Sequence, residues 1–151
     1  FPYNVGNTPA EVIESEVPLI VEERSLWPDT GGPGKFRGGF GQKYVLRLLD
    51  GDLGPVGDVL ASFRGGRFQF PPEGVLGGGS APNGFLSIRG TREDAGRQVI
   101  VRAGDRIVSH IPGGGGYGDP AQRSRAAIEQ DIKNELITKE HARKYYDYDA
   151  A

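Results

Sequence analysis

Two histidines, His110 and His141, are the side chains of this sequence that change protonation near neutral pH, and the sequence contains no cysteine. His110 ends a strand-like segment beside a run of glycines, where it is a candidate general acid or base, or else a structural histidine. His141 falls in a segment with helical character. The two histidines lack the spacing of metal ligands, so the sequence predicts no metal site made by this chain alone.

The glycine run lies in the segment PGGGGYGDP, residues 112–120. Gly113, Gly115 and Gly118 formally match the dinucleotide fingerprint G-x-G-x-x-G. Pro112 interrupts the required turn, however, and no second parallel strand follows to complete a nucleotide-binding unit. Four successive glycines instead indicate close approach of another backbone. We expect that backbone to belong to another chain or to another part of the subunit, with the contact made by Gly113, Gly114, Gly115 and Gly116.

A second glycine-rich segment, residues 31–41, carries Lys35 and Arg37. A loop of this kind can bind phosphate through backbone amides and a cation. The phosphate-loop pattern is absent, because Asp29 stands where its first glycine should be and Phe36 replaces the serine or threonine after the lysine. We therefore expect an ordered loop near a subunit junction, with Lys35 and Arg37 available to carboxylates or phosphates.

Short apolar blocks between the glycine-rich segments predict strands. A strand with a break at Pro18 is expected from Ala10 to Arg24, with Val12 and Val17 among the inward residues. Further strands, in a meander or sandwich-like layer, are predicted at Tyr44–Leu49, Val56–Phe63, Phe85–Ile88, Gln98–Val101 and Arg106–Ile111. Residues 28–41 and 68–84 are loops by composition.

The C-terminal segment changes to helical character after Asp119-Pro120, a pair typical of a helix start. Ile128, Ile132 and Leu136 share one helical face, and Thr138 predicts the cap of a second helix. The prediction is an α+β fold: a mostly β body with long Gly/Pro-rich loops over residues 1–118, and a helical hairpin over residues 119–151 that packs on it.

Composition excludes several classes of function. A formal net charge of −2 with both signs interspersed gives no basic surface for nucleic acid or anionic membranes. No apolar stretch approaches the roughly 18 residues of a membrane span, and the absence of cysteine fits a cytoplasmic protein. Because the sequence has no methionine, we expect a processed or split polypeptide.

Five sequence blocks together resemble the hydantoinase B/oxoprolinase family. The first is Gly6-Asn7-Thr8-Pro9, and the others are WPDTGGPGKFRGGFG, RFQFPPEGVLGGGSAPNG, PGGGGYGDP and the tail IEQDIKNELITKEHARKYY. The resemblance implies a subunit of an enzyme that hydrolyses cyclic amides or carboxylates small ketones. It places Asn7, Asp29, Lys35, Arg37, Asp119 and the four glycines in substrate loops or interfaces, with His110 as the catalytic candidate.

The same resemblance implies partners and cofactors that this chain does not supply alone. Expected partners are a hydantoinase A-like subunit and the remainder of a hydantoinase B-like subunit. The complete complex would use ATP and a divalent metal, since phosphorylation turns an amide or enol oxygen into a leaving group. The alternative hypothesis is a non-catalytic, β-rich assembly module that holds larger subunits together.

Overall fold

The computed structural model describes residues 8–53, 55, 57–94 and 96–149. Three α-helices and seven β-strands alternate with single 3₁₀ turns and long loops. In chain order they are α1 (Ala10–Glu16), β1 (Leu19–Trp27), β2 (Gly41–Leu48), β3 (Val59–Ser62), β4 (Phe85–Ile88), β5 (Thr91–Glu93), β6 (Gln98–Val101), β7 (Arg106–Ile111), α2 (Arg125–Lys133) and α3 (Lys139–Tyr146). The α+β class predicted from the sequence is confirmed.

The strands form two antiparallel sheets. Five of them pair in the order β1-β2-β7-β4-β5, and β3 pairs with β6 in a separate two-stranded sheet. The arrangement is not a meander, because β7 inserts between β2 and β4 and pairs with both. Apolar residues from the two sheets meet in one core, whose buried members are Leu48, Leu86, Ile88, Val101 and Ile107. The sandwich-like alternative of the sequence analysis is therefore the correct one.

The N-terminal segment corrects one prediction. Residues 10–16 are helical rather than extended, and β1 starts only after Pro18. The Glu14 carboxylate accepts a hydrogen bond from the Val21 amide at 2.8 Å, which folds the helix back along the strand. Val12 and Val17 are each 41% exposed, whereas Leu19 and Val21, which the same alternation predicted to point inward, are half-buried in β1.

The predicted C-terminal hairpin is present, but its first helix is shorter than expected. Asp119 caps only a 3₁₀ turn at Pro120–Gln122, and α2 begins after Ser124, whose hydroxyl accepts from the Ala127 amide. Helix α2 ends at Lys133, and Glu135 then adopts a left-handed conformation, φ 57°. Leu136 consequently lies outside the helix.

The second C-terminal helix begins as predicted, with Thr138 as its N-cap. The two helices and the residues that follow share a small apolar cluster with Phe40 of the body packed against it. Its buried members are Ile128, Ile137, Ala142, Tyr146 and Tyr148. Within the described ranges, no helix is long and apolar enough to cross a membrane.

Candidate functional site

Three glycine-rich segments pack side by side through their main chains. We call them the glycine bundle: residues 30–41, 73–81 and 112–118. The Gly32 amide donates to the Gly114 carbonyl at 2.8 Å, and the Gly114 amide donates to the Gly39 carbonyl at 2.8 Å. On the other side the Gly116 amide donates to the Gly79 carbonyl at 2.9 Å. The bundle is therefore held by backbone hydrogen bonds rather than by side chains.

The spacing within the bundle explains the four consecutive glycines. A β-carbon on Gly113 would collide with the backbone of Thr30 and Gly39, and one on Gly115 would collide with that of Glu73. Gly116 is equally confined, whereas at Gly114 the nearest atom would be 3.4 Å away. The close approach predicted from the sequence is present, but the backbone that they meet belongs to this chain and not to another.

Three amides of the glycine run donate within the bundle. Phosphate binding at glycine loops needs backbone amides that point outward without a partner. Here the amides of Gly114, Gly116 and Gly118 donate to the carbonyls of Gly39, Gly79 and Val75. These three amides are therefore already used for folding.

The two cations of the second segment have different surroundings. Arg37 donates from Nε and Nη2 to the Asp131 carboxylate, at 2.9 and 3.1 Å, so α2 of the same chain holds its guanidinium. Arg123 binds the same carboxylate at 2.6 Å. Lys35 is exposed beside the ring of Phe36. Only Lys35 therefore retains the availability to anions that was expected of both.

A recess of about 280 Å³ lies where the bundle meets α3. Its lining includes Asp29, Ser80, His141 and Tyr145. Asp29 Oδ1 is 3.6 Å from His141 Nδ1, and His141 Nε2 is buried without a hydrogen-bond partner among the described residues. The recess thus brings a carboxylate and an imidazole together around a cavity.

Asp29 is held for this contact by an unusual backbone. Its φ is 62°, a left-handed conformation that aspartate tolerates better than most residues. In that conformation the Asp29 amide donates to the Leu136 carbonyl at 3.1 Å, and its carboxylate accepts from the Thr138 amide at 2.7 Å. Asp29 thus anchors the turn between α2 and α3 and sets the position of His141.

The protonation of His141 follows from its burial. Desolvation lowers the pKa of the imidazole, and Lys144 acts in the same direction, while Asp29 opposes them. The ring is therefore neutral at neutral pH. A neutral imidazole has one ring nitrogen without a proton, so His141 can accept a proton or a hydrogen bond.

His110, the catalytic candidate of the sequence analysis, lies elsewhere, on the five-stranded sheet. Its ring stacks on Phe85 with centroids 4.2 Å apart and touches Trp27 at 4.6 Å. Burial, followed by the nearby Lys43, lowers the pKa of His110. Its Nδ1 is buried and has no partner among the described residues. His110 is not among the residues that line the recess.

Three further predictions concern Asn7, Asp119 and metal binding. Asn7 lies outside the described residues. The Asp119 carboxylate accepts from the Ala121 amide at 2.9 Å, so it works as a cap. In the part of the chain that the structure describes, no three His, Cys, Asp or Glu side chains gather as metal ligands, so these residues do not fit a resident metal ion.

Sequence reasoning missed His141, Ser80 and Tyr145 as neighbours of Asp29. The contact between Asp29 and Thr138 spans 109 positions, and no local pattern reports such a pairing. The one available signal was Thr138 itself: as a predicted cap it places His141 in the first turn of a helix, facing whatever that turn packs against.

Comparison with known proteins decides the family. The model of the family described as hydantoinase B/oxoprolinase matches residues 1–120. The chain belongs to the hydantoinase B/oxoprolinase family. The three blocks that carry the resemblance in the body of this hydantoinase B-type chain contain the segments of the glycine bundle, and α3 completes the wall of the recess.

Individual relatives agree with the family. An uncharacterized protein of Methanocaldococcus jannaschii is 37% identical over 146 residues, 94% of this chain and 24% of the relative. The caprolactamase subunit beta of Pseudomonas jessenii is 33% identical over 148 residues, 90% of this chain and 24% of the relative. The hydantoinase B-type chain therefore spans about a quarter of the length of the relatives that it matches.

A solved structure of acetone carboxylase, described under ATP-dependent acetone carboxylation, has the same fold. The TM-score is 0.75 at 19% identity, over 92% of this chain and 22% of that one. At this identity the likeness concerns the fold alone.

Proposed function

We propose that this chain contributes the glycine-bundle region of a hydantoinase B-type subunit in a multi-subunit enzyme that opens cyclic amides with the use of ATP. The observation that carries the proposal is the family match together with 33% identity to a caprolactamase subunit beta. Carboxylation of a small ketone is the second candidate reaction, favoured by 26% identity over 97% of this chain to the acetophenone carboxylase delta subunit of Aromatoleum aromaticum. A hydantoinase A-like subunit would handle ATP, as the family resemblance implies, and the amides of Gly114, Gly116 and Gly118 are already used within this chain.

Within such an enzyme the recess is the part of this chain best suited to contact a reacting molecule. The Asp29 carboxylate lies 3.6 Å from the imidazole of His141, whose neutral ring would accept a proton from water or from an amide nitrogen that enters the recess and reaches it. His110 remains the second acid–base candidate. We assign the recess a positioning and proton-accepting role, with the Ser80 hydroxyl on the same wall.

The assignment can be tested on the complex purified from the source cells. Tagged chain should recover a hydantoinase A-like and a hydantoinase B-like polypeptide, and the complex should release ADP in the presence of caprolactam, hydantoin or 5-oxoproline. Acetone with bicarbonate is the arm for carboxylation. Recovery of neither polypeptide, or ADP release that no substrate increases, would overturn the proposal.

Two matched variants separate the histidines. His141→Gln should lower kcat at least tenfold with little change in KM, as expected for loss of a proton acceptor. His110→Gln should leave kcat within about threefold if its role is to stack between Trp27 and Phe85. The reverse result would transfer the acid–base role to His110.

A non-catalytic assembly module remains the competing function. It is favoured by the separation of the two histidines and by the lack of a metal-binding cluster in the described ranges. If both histidine variants assemble and turn over like the wild type, the chain acts as an assembly module.

A further inference from the structure

The outer face of the glycine bundle carries an exposed apolar patch. Tyr117 pairs with Phe36 in an antiparallel bridge and with Val75 in a parallel bridge. Directly paired residues point to the same side of a sheet, so the three side chains form one row. They are 61% exposed at Phe36, 56% at Val75 and 50% at Tyr117. Leu76, the next residue, is 72% exposed. We call these four residues the outer patch.

Leu76 is presented by a tight turn. Its φ is 52°, and the Gly78 amide donates to the Val75 carbonyl at 3.1 Å, so this φ belongs to the turn over residues 75–78. The turn leaves the Leu76 side chain 72% exposed beside Val75.

The outer patch is also rigid. Behind it, glycines pack backbone to backbone: a β-carbon on Gly34 would stand 2.7 Å from the Tyr117 amide nitrogen, and Gly78 is confined by Gly116. Phe36 and Tyr117 exchange two backbone hydrogen bonds, of 3.0 and 2.8 Å. Aromatic side chains that are fixed before binding lose little entropy when covered, which is why such residues dominate interfaces.

The exposed area of the outer patch indicates which kind of surface can cover it. Four side chains of this kind expose on the order of 400 Å². A stable contact between two independent copies needs about 800 Å² from each partner. A smaller patch suffices when the covering segment is already held nearby, because little translational freedom is then lost. In the relatives this region is only 24% of the polypeptide, which leaves three quarters of a subunit to cover it.

We infer that the outer patch docks the part of a hydantoinase B-type subunit that this chain does not match. The docking surface should be apolar at its centre and acidic at the edge that meets Lys35, whose ammonium lies 5.9 Å from the Phe36 ring. This inference rests on the proposed function, since it requires that such a polypeptide accompanies the chain.

Site-specific photo-crosslinking in the source cells tests the inference. Tyr117 is replaced by p-benzoylphenylalanine, with Leu60, 60% exposed on β3, replaced in the control. The expected crosslinks from position 117 join peptides of a hydantoinase B-type polypeptide outside the region that this chain matches, and position 60 should give at least tenfold less. Crosslinks to a second copy of the chain, to a hydantoinase A-like subunit, or to nothing would overturn it.

A charge substitution gives a second readout. Tyr117→Glu should lower recovery of the hydantoinase B-type polypeptide at least tenfold, whereas Leu60→Glu should not, with thermal unfolding showing that both variants fold. If Tyr117→Glu does not fold, the crosslinking result decides. If wild-type chain recovers that polypeptide but position 117 does not crosslink to it, this inference fails while the proposed function stands. If wild-type chain recovers none, both fail.

Discussion

Gly115 and Gly38 are the residues at which the glycine bundle leaves the least room. Gly115→Val should destabilise the fold by roughly 1–3 kcal/mol, because its β-carbon would overlap the backbone of Glu73. Gly114→Ala is the matched control, since its β-carbon meets no atom closer than 3.4 Å, and it should cost less than about 1 kcal/mol. Urea unfolding followed by circular dichroism measures both. Equal losses would mean that conformational entropy, not close approach, selects glycine here.

The two histidines make stability depend on pH. Burial lowers the folded-state pKa of His110 and His141, so the unfolded chain binds protons more readily than the folded one. Their contribution is complete above the unfolded pKa of about 6.5 and is lost as pH falls below it. The free energy of unfolding should therefore be lower at pH 5.5 than at pH 7.5. His141→Gln should flatten that dependence, and the double variant with His110→Gln should flatten it most.

At the level of single residues the sequence predicted local hydrogen bonds but not contacts between distant residues. The caps Asp119 and Thr138 were predicted, because a cap is a local hydrogen bond that a few residues define. The contacts of Arg37 and Asp29 were not, since each joins residues more than ninety positions apart. The sequence therefore did not indicate that the guanidinium of Arg37 is bound by Asp131.

The C-terminal helices are fastened to the body by a buried charge cluster. The Asp131 side chain is 7% exposed and binds both Arg37 and Arg123. Asp131→Asn would leave two guanidinium groups without their counter-charge and should cost about 3–5 kcal/mol. Asp58→Asn, which loosens an exposed pair with Arg102, is the control and should cost under about 1 kcal/mol. A similar loss in the free energy of unfolding for the two variants, measured by urea titration, would show that the cluster does not stabilise the contact between the helices and the body.

At the level of elements, three of the later strands were predicted residue for residue, whereas β5 and α1 were not predicted. Phe85–Ile88, Gln98–Val101 and Arg106–Ile111 are short apolar blocks between turn residues, whereas β5 has a polar sequence, Thr-Arg-Glu. Residues 10–16 combine one valine and one isoleucine with alanine and three glutamates, which also suit a helix. The tie between Glu14 and the Val21 amide, a tertiary contact, accompanies the helical outcome.

For the molecule as a whole, the prediction that residues 119–151 are a tail distinct from the body can be tested by cooperativity. Asp29 and Arg37 tie the two parts together, so we expect them to unfold as one unit. Ile137→Ala in the tail should cost about 2–5 kcal/mol. The unfolding midpoint should fall by the same amount whether it is followed by the fluorescence of Trp27, the single tryptophan, or by the helical circular dichroism signal. Ile100→Ala, at a residue 49% exposed, is the control with a small shift.

Transitions that separate between the two probes would instead show a tail that melts independently. The α+β class and the glycine-rich loops could be predicted from the sequence, because they follow from its periodicity and its composition. The sequence did not show which backbone the glycines approach, because glycines indicate close contact but carry no side chain that identifies the partner segment.

A bundle held by main-chain atoms also restricts how the gene can drift. In an ordinary core the cost of a substitution grows with the volume that is changed. At Gly32, Gly38 and Gly115 the conflict begins at the first side-chain carbon, so alanine should be purged almost as strictly as tryptophan. Every missense change of a glycine codon introduces that carbon. We therefore expect no neutral substitutions at these three positions, so that members of this family differ from one another only at other residues.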